Sequence, residues 1–519
     1  MKTTMVLASI AVVNAYQWPS SLIDQVDGLL YEGRGEGDPN NSLIDFAAKL
    51  AQCQSGSLGE SGAAEWIRFA YHDMATHNIE DGTGGLDNSL LLELDRAENV
   101  GVGMRHARAD FSHFPNKYLS FSDVTAVGVA IASAICDGPI VPIRAGRRDA
   151  IVAGPPGVPE PQQTLAEHTE SFRLQGFTPE EMIALTACGH SVGGVRSNDF
   201  PAMVPPAPGT TVDNFILFDT TTALDNTVVL QYLNSTTKNA LVVDKNATLI
   251  SDFRIFSSDG NVTMNKLADP ETFDRTCSRL LAQMIDTVPA DVKLTDVIEP
   301  IPTKVDGVQL SIGSDTLLLS ASLRFLDFND QRTVKMLWDD RAGGCASNSC
   351  SSWPENQRDV TTTLTSRLGL SVNKYDFVAQ INATTSISKF WFEVDENDGS
   401  PVKTLDNGGS GYVITQDRVL YVPHSSTATT TVVAVRNDVT PSRVFMDVYT
   451  RGPSAIVNQT GVDLAPATDI ASRLGYDFYS LTQSFTGVEF TFDLHSVVNG
   501  TTYTEDMRDT YFATNSPDF

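Results

Sequence analysis

The stretch that decides the fold runs from Glu65 to Ser89, EWIRFAYHDMATHNIEDGTGGLDNS. Its first half predicts a helix. Ala63, Ala64 and Glu65 are good helix formers, and Trp66, Ile67, Phe69 and Ala70 supply the apolar residues. Arg68 and His72 are four positions apart, so they project from one helix face about one turn from each other. That spacing sets a fixed cation beside an imidazole. An imidazole can take a proton from one oxygen of a peroxide and return it to the other, and a guanidinium can stabilise the charge that grows as the O–O bond breaks. The second half, GTGGLDNS, is a glycine-rich loop with oxygen ligands at alternate positions.

Further motifs follow in order. Glu98-Asn99-Val100-Gly101-Val102 lies just beyond the loop. Ser122 to Ala134 predicts a buried apolar helix, with Asp123 near its start where a carboxylate suits the helix dipole. Thr178-Pro179-Glu180-Glu181 predicts another helix start, with Thr at the N-cap, Pro at the first helical position and acids in the first turn. That helix runs through MIALTACGHSVGG, and small residues surround His190 near its end. Phe218 to Asn226 (FDTTTALDN) and Leu249-Ile250-Ser251-Asp252 come next.

Over roughly residues 30 to 290 these motifs resemble the plant, fungal and bacterial heme peroxidase superfamily, in particular its secreted fungal type. Arg68, the aromatic Tyr71 and His72 match that family's Arg-x-x-aromatic-His pattern. The resemblance implies a mainly α domain that binds heme b, with His190 as the iron ligand and Tyr71 against the cofactor. It implies that His72 and Arg68 cleave hydrogen peroxide. Asn99 is expected to accept the Nδ1 proton of His72, and Asp252 that of His190. A carboxylate there gives the imidazole anionic character and lowers the iron potential. Asp73, Gly85, Asp87 and Ser89 match a distal calcium site. Ser191, Asp219, Thr221 and Asp225 match a proximal one, in a segment one residue shorter than the family's usual. Arg147 and Asp149, in a segment similar to the family's Pro-x-x-x-Gly-Arg-Arg-Asp, are expected to be structural ion-pair members. Phe273–Met284 matches the family's last core helix.

The sequence also departs from the family. Tyr71 stands where Phe or Trp is usual, and its phenol could donate a hydrogen bond toward the iron-bound side. Leu185 and Arg196 occupy the places of a surface Trp and a manganese-binding acid, and Pro206 that of the proximal Trp of the cytochrome c peroxidase type. Oxidation at the exposed heme edge is what these departures leave.

At 519 residues two domains are the natural prior. A net charge of −28 repels nucleic acid and anionic membranes, so neither is an expected partner. Met1 to Ala15 reads as a signal peptide; a buried N-terminal strand is the alternative. No later run reaches the ~18 apolar residues of a membrane span, and the C-terminal DTYFATNSPDF offers no lipid anchor. Seven Asn-x-Ser/Thr sequons, at Asn40, Asn234, Asn246, Asn261, Asn382, Asn458 and Asn499, support a secreted, extracellular glycoprotein. Six cysteines in an oxidising compartment predict disulfides. Cys345 and Cys350 are close enough for a local loop. Cys53–Cys136 resembles a bridge of the fungal peroxidases, and Cys188–Cys277 follows by elimination.

From about Pro300 the pattern changes. Thr316–Phe328, Lys389–Val394, Tyr412–Val422, Thr429–Val435, Arg443–Tyr449 and Gly487–Leu494 are β-branched and aromatic, and Gly, Asn, Asp and Pro clusters separate them. They predict an all-β, sandwich-like C-terminal domain. The expected organisation is a signal peptide at 1–15, a heme peroxidase domain at 16–300 and a β domain at 301–519. Trp338, Trp353 and Trp391 are expected to be core aromatics, though a polysaccharide contact through them is conceivable. The expected function is a secreted peroxidase that reduces hydrogen peroxide and oxidises a small donor, phenols included. The alternative is a secreted cell-wall or carbohydrate-binding protein with a non-catalytic heme half. A zinc hydrolase using His72 and His77 fits poorly, since five residues separate them and no HExxH occurs.

Overall fold

The computed structural model describes residues 12–13, 20–33, 53–54, 60–206, 209, 213–345, 350–427, 429–451, 457–483 and 491–509. The helix read over Ser42–Gln52, the sequon at Asn40 and the C-terminal tail from 510 onward lie outside them. So does the leader, apart from Val12–Val13, which pair in parallel with Thr502–Tyr503.

Between residues 62 and 286 the described chain is built mainly of helices. The central helix Gly62–Met74 starts at Ser61, whose hydroxyl accepts the Ala64 amide at 3.1 Å. It buries Trp66, Phe69 and Ala70 against the helices Val102–Phe111 and Phe121–Ile135. Trp66 and Phe111 pack with ring centroids 4.9 Å apart, and Phe111 meets Phe121 edge-on at 6.1 Å. On the other side lie Pro179–Gly189 and Pro270–Asp286, joined by Cys188–Cys277. Thr178 caps the first of these in a capping box with Glu181, and Pro179 opens it, as the sequence predicts. The other two disulfides are Cys53–Cys136 and Cys345–Cys350, so the expected pairing is found throughout.

Arg147 is a buried ion-pair member, 2.9 Å from Asp123, and its Nε donates to Ile285 O at 3.0 Å. Asp149 is not. Its carboxylate accepts the Phe121 and Ser122 amides at 2.8 and 2.9 Å, satisfying two of the free N–H groups that open the helix Phe121–Ile135. Asp123, further into that helix, carries the ion pair instead.

From Thr303 to Asp509 the described chain forms antiparallel sheets. One has the order Thr303–Ile312, Leu317–Phe325, Asn373–Ile381, Asn356–Asp359. A second is built on Thr333–Asp339 and Lys389–Asp395, and a third on Val419–Tyr421, Thr430–Arg436 and Tyr476–Thr482. A fourth holds Arg443–Arg451, Val457–Asp463, Thr491–Val498 and Thr501–Asp509. This is more than the two-layer sandwich that the sequence suggests. The third sheet is shared by two cores. Leu420, Ala434 and Phe478 face the first two sheets, whereas Val419, Tyr421, Val433 and Val435 face Met446, Val448 and Phe492 of the fourth. The run Val432-Val433-Ala434-Val435 is apolar on both faces for that reason. Trp338 is buried as expected, but Trp353 is 61 % exposed.

Charged side chains join the two regions. The helix Ser21–Asp27 lays Val26 into the helical core and turns its acids to the first sheet. Arg324 Nη1 lies 2.6 Å from Asp27 and 3.0 Å from Glu32, and Lys374 lies 2.6 Å from Glu32. Lys304 reaches Asp24 at 2.7 Å. Arg324 and Asp27 are both fully buried. Elsewhere Lys117, from the helical region, meets Asp493 and Asp506 of the fourth sheet. Desolvating such charges is tolerable only while every partner is present. Arg324→Leu therefore leaves Asp27 and Glu32 without their guanidinium, and denaturant titration is expected to show a loss of about 3–5 kcal/mol.

Candidate active site

The helix Gly62–Met74 presents Arg68 and His72 on one face, as the four-residue spacing requires. His72 Nδ1 lies 2.9 Å from Asn99 Oδ1. The orientation of the Asn99 amide is fixed, because its Nδ2 donates to Glu93 O at 3.0 Å. Oδ1 must then accept from His72, which puts the imidazole proton on Nδ1 and leaves the Nε2 lone pair free as a base. Burial and the positive charge of Arg68 push the His72 pKa down to about 3, against the bond to Asn99. His72 is therefore neutral at every ordinary pH.

Arg68 is anchored through Nη2, which donates to Val100 O at 2.8 Å, and its guanidinium sits over the Phe200 ring at 5.8 Å. Burial draws its pKa down to about 10, with Asp199 and Glu65 opposing, so it stays a cation. Gly101 has φ 120°, and a Cβ there would sit 3.0 Å from Arg68 Nη1. A side chain at that position would both strain the backbone and crowd the guanidinium.

His190 ends the helix Pro179–Gly189. Its Nδ1 lies 2.9 Å from Asp252 Oδ2, and its ring stacks on Phe218 at 4.4 Å and 18°. Asp252 is 1 % exposed, while the His190 side chain keeps 33 % of its surface open. A Cβ on Gly189 would meet nothing within 4 Å. An imidazole with Nδ1 occupied, an open face and a glycine neighbour fits a heme iron ligand, since one protein nitrogen suffices there.

Phe218 was not foreseen. Pro206, which occupies the place of the family's proximal Trp, is exposed. The ring against His190 is Phe218, brought there by the pairing of Gly194–Arg196 with Phe215–Leu217. The available signal was an aromatic directly before Asp219. Gln175 was missed as well. It accepts the Tyr71 hydroxyl through Oε1 at 3.3 Å, so that phenol is engaged within the protein. Burial raises the Tyr71 pKa above its usual value.

The two loops expected to bind calcium are held by hydrogen bonds within the protein, and no group of three or more His, Cys, Asp or Glu side chains that could hold a metal occurs among the described residues. Asp73 accepts the amides of Asp87, Asn88 and Leu90 at 2.9, 2.6 and 2.8 Å, and Asp87 Oδ1 accepts that of Ser89 at 3.1 Å. Burial and the nearby Asp87 push the Asp73 carboxyl well above its usual range, and burial raises Asp87. Gly85, with φ 118°, lies in the same turn. In the other loop, Asp219 Oδ1 accepts Thr221 N at 2.8 Å, and Thr221 Oγ1 lies 3.5 Å from Asp225 Oδ1. Asp219 Oδ2 is buried without a hydrogen-bond partner among the described residues, and burial holds the carboxyl up at about 6. Ser191 donates to Cys188 O at 2.8 Å. Buried oxygens of like charge, one of them unpartnered, suit a hard cation.

Residues 48–275 match the family described as Peroxidase. The helical region is thus similar to the peroxidase family, over a match that covers less than half of the chain. The chain is 35 % identical to a WSC domain-containing protein of Arthroderma benhamiae over 397 residues, 74 % of this chain and 53 % of that protein. It is 32 % identical to putative L-ascorbate peroxidase 6 of Arabidopsis thaliana over 26 % of this chain and 43 % of that one. With the mitochondrial cytochrome c peroxidase of Cryptococcus neoformans it shares 31 % over 25 % and 36 %. The chain thus spans about half the length of the first of these curated relatives and less of the others.

Replacing Asn99 by Leu removes the acceptor that fixes the His72 tautomer. Peroxide turnover is expected to fall about 10- to 100-fold, the usual effect of losing such an orienting partner, with folding by circular dichroism retained.

Proposed function

We propose that this protein is a secreted heme peroxidase that reduces hydrogen peroxide and oxidises small donors, phenols among them, at the heme edge. The observation that carries the reading is the pair of imidazoles each tied at Nδ1, His72 to Asn99 and His190 to Asp252, with Arg68 on the His72 side. Heme b, when bound, supplies the redox-active iron that takes up the oxidising equivalents of peroxide. His190 would hold it, with Asp252 keeping the His190 proton on Nδ1. Tyr71 packs beside His72, with ring centroids 6.3 Å apart, and would contribute to holding the cofactor. His72 Nε2 takes the proton from one peroxide oxygen and delivers it to the other, which leaves as water. Arg68 stabilises the negative charge that develops on the departing oxygen.

Calcium belongs to this reading at two sites. Asp73, Gly85, Asp87 and Ser89 hold one, and Ser191, Asp219, Thr221 and Asp225 the other. The proposed organisation is a signal peptide at 1–15, the peroxidase domain at 16–300 and the β domain at 301–519. Secretion is supported by three disulfides with no free cysteine among the described residues, and by exposed sequons at Asn234, Asn246, Asn382, Asn458 and Asn499. No described helix is long and apolar enough to cross a membrane. The exposure of Trp353 supports a polysaccharide contact of the β domain.

The test is direct. The purified holoprotein is expected to show a Soret band that His190→Ala loses. Rapid mixing with peroxide changes that spectrum in the native protein, and about 10²- to 10⁴-fold more slowly in His72→Ala, the usual contribution of a positioned general base. Heme binding without a peroxide response defeats the enzymatic reading and favours the binding-protein alternative.

The pH dependence has a defined sign. His72 is the base in its neutral form, and its pKa lies at about 3. The rate is expected to stay level as pH falls from 7 toward 4, and to decline only as His72 gains a proton near 3. Chelation of calcium is expected to lower the thermal midpoint. It removes the cation that offsets the buried carboxylates Asp73, Asp87 and Asp219, and added calcium should restore the midpoint.

A further inference from the structure

Asp252 Oδ2 receives two hydrogen bonds, not one. His190 Nδ1 lies 2.9 Å from it, and Asn239 Nδ2 donates to it at 2.9 Å. The second carboxylate oxygen, Oδ1, receives the Ser251 hydroxyl at 3.3 Å. Asn239 is fully buried and stands at the N-cap of the short helix Ala240–Val243. Its Oδ1 accepts the Leu241 amide at 2.8 Å, which fixes the amide and aims Nδ2 at Asp252. Capping needs only an oxygen, and Ser, Thr or Asp would supply one. The amide nitrogen is extra to that role.

We propose that Asn239 is a positioning residue that sets how strongly His190 donates to the iron, by competing with His190 for Asp252 Oδ2. This rests on the reading of His190 as the iron ligand. A donor on Oδ2 stabilises the carboxylate charge and so weakens its pull on the His190 proton. The imidazole keeps more of its neutral character, and the iron is held at a higher potential than a lone Asp–His pair would give. Remove the amide donor, and Asp252 draws the proton harder, the imidazole becomes more anionic and ferric iron is favoured.

Asn239→Ser keeps a capping oxygen but ends one bond short of the amide nitrogen; Asn239→Thr repeats the design if Ser folds poorly. In the purified holoprotein the ferric state is expected to gain about tenfold over the ferrous one, a fall of about 59 mV in the one-electron midpoint potential. The iron–histidine stretching frequency of the ferrous protein, read by resonance Raman, should rise. Asp252→Asn should move both in the opposite direction. If Asn239→Ser leaves potential and stretch unchanged while Asp252→Asn shifts them, the role of Asn239 is refuted and the iron ligand stands. If the native ferrous protein shows no iron–histidine stretch, it is the assignment of His190 that fails.

Discussion

Each of the two imidazoles is held at Nδ1 by an oxygen that is itself held. Asn99 cannot turn its amide, because Glu93 O occupies its nitrogen. Asp252 is buried and takes donors on both oxygens. A histidine with a fixed tautomer presents one defined nitrogen, and chemistry at Nε2 then requires no reorganisation. The rest of the helical region serves this arrangement. The aromatic cluster of Trp66, Phe111 and Phe121 fixes the helix that carries His72, and Cys188–Cys277 fixes the helix that ends in His190.

The two sides of the site differ in electrostatic character. Around His72 the charge is positive, and burial together with Arg68 keeps the imidazole unprotonated. Around His190 the charge is negative and comes from Asp252. One imidazole is thereby left neutral with a free Nε2, and the other is tied to a buried carboxylate. The same residue type takes opposite roles because its neighbours, not its own chemistry, decide.

The β sheets are bound to the helical region by buried ion pairs as well as by apolar contact. Arg324, Lys304 and Lys374 meet Asp24, Asp27 and Glu32 at the first sheet, and Leu364 adds to the helical core. Such pairs add little net stability over apolar packing, but breaking one leaves a charge stranded. The helix Ser21–Asp27 therefore belongs to both regions. Its apolar face lies in the helical core, and its acids face the sheets.

The sequence by itself determined the local geometry of residues whose spacing is short. Arg68 and His72 lie one helical turn apart, Thr178 and Pro179 announce a helix, and Asp73 accepts the amides of Asp87, Asn88 and Leu90 from the loop that follows its helix. Local geometry follows from local sequence, so these were legible. The all-β character of the second half was legible too, from β-branched runs. Tertiary structure decided what depends on distant segments meeting. Phe218 reaches His190 only through the pairing of Gly194–Arg196 with Phe215–Leu217. Gln175 reaches Tyr71 across 104 positions. The third sheet serves two cores, because an apolar run says that both faces are buried but not against what. Asn239 meets Asp252 because the short helices Ala240–Val243 and Ser251–Phe256 pack together, and no pattern in the chain marks that contact.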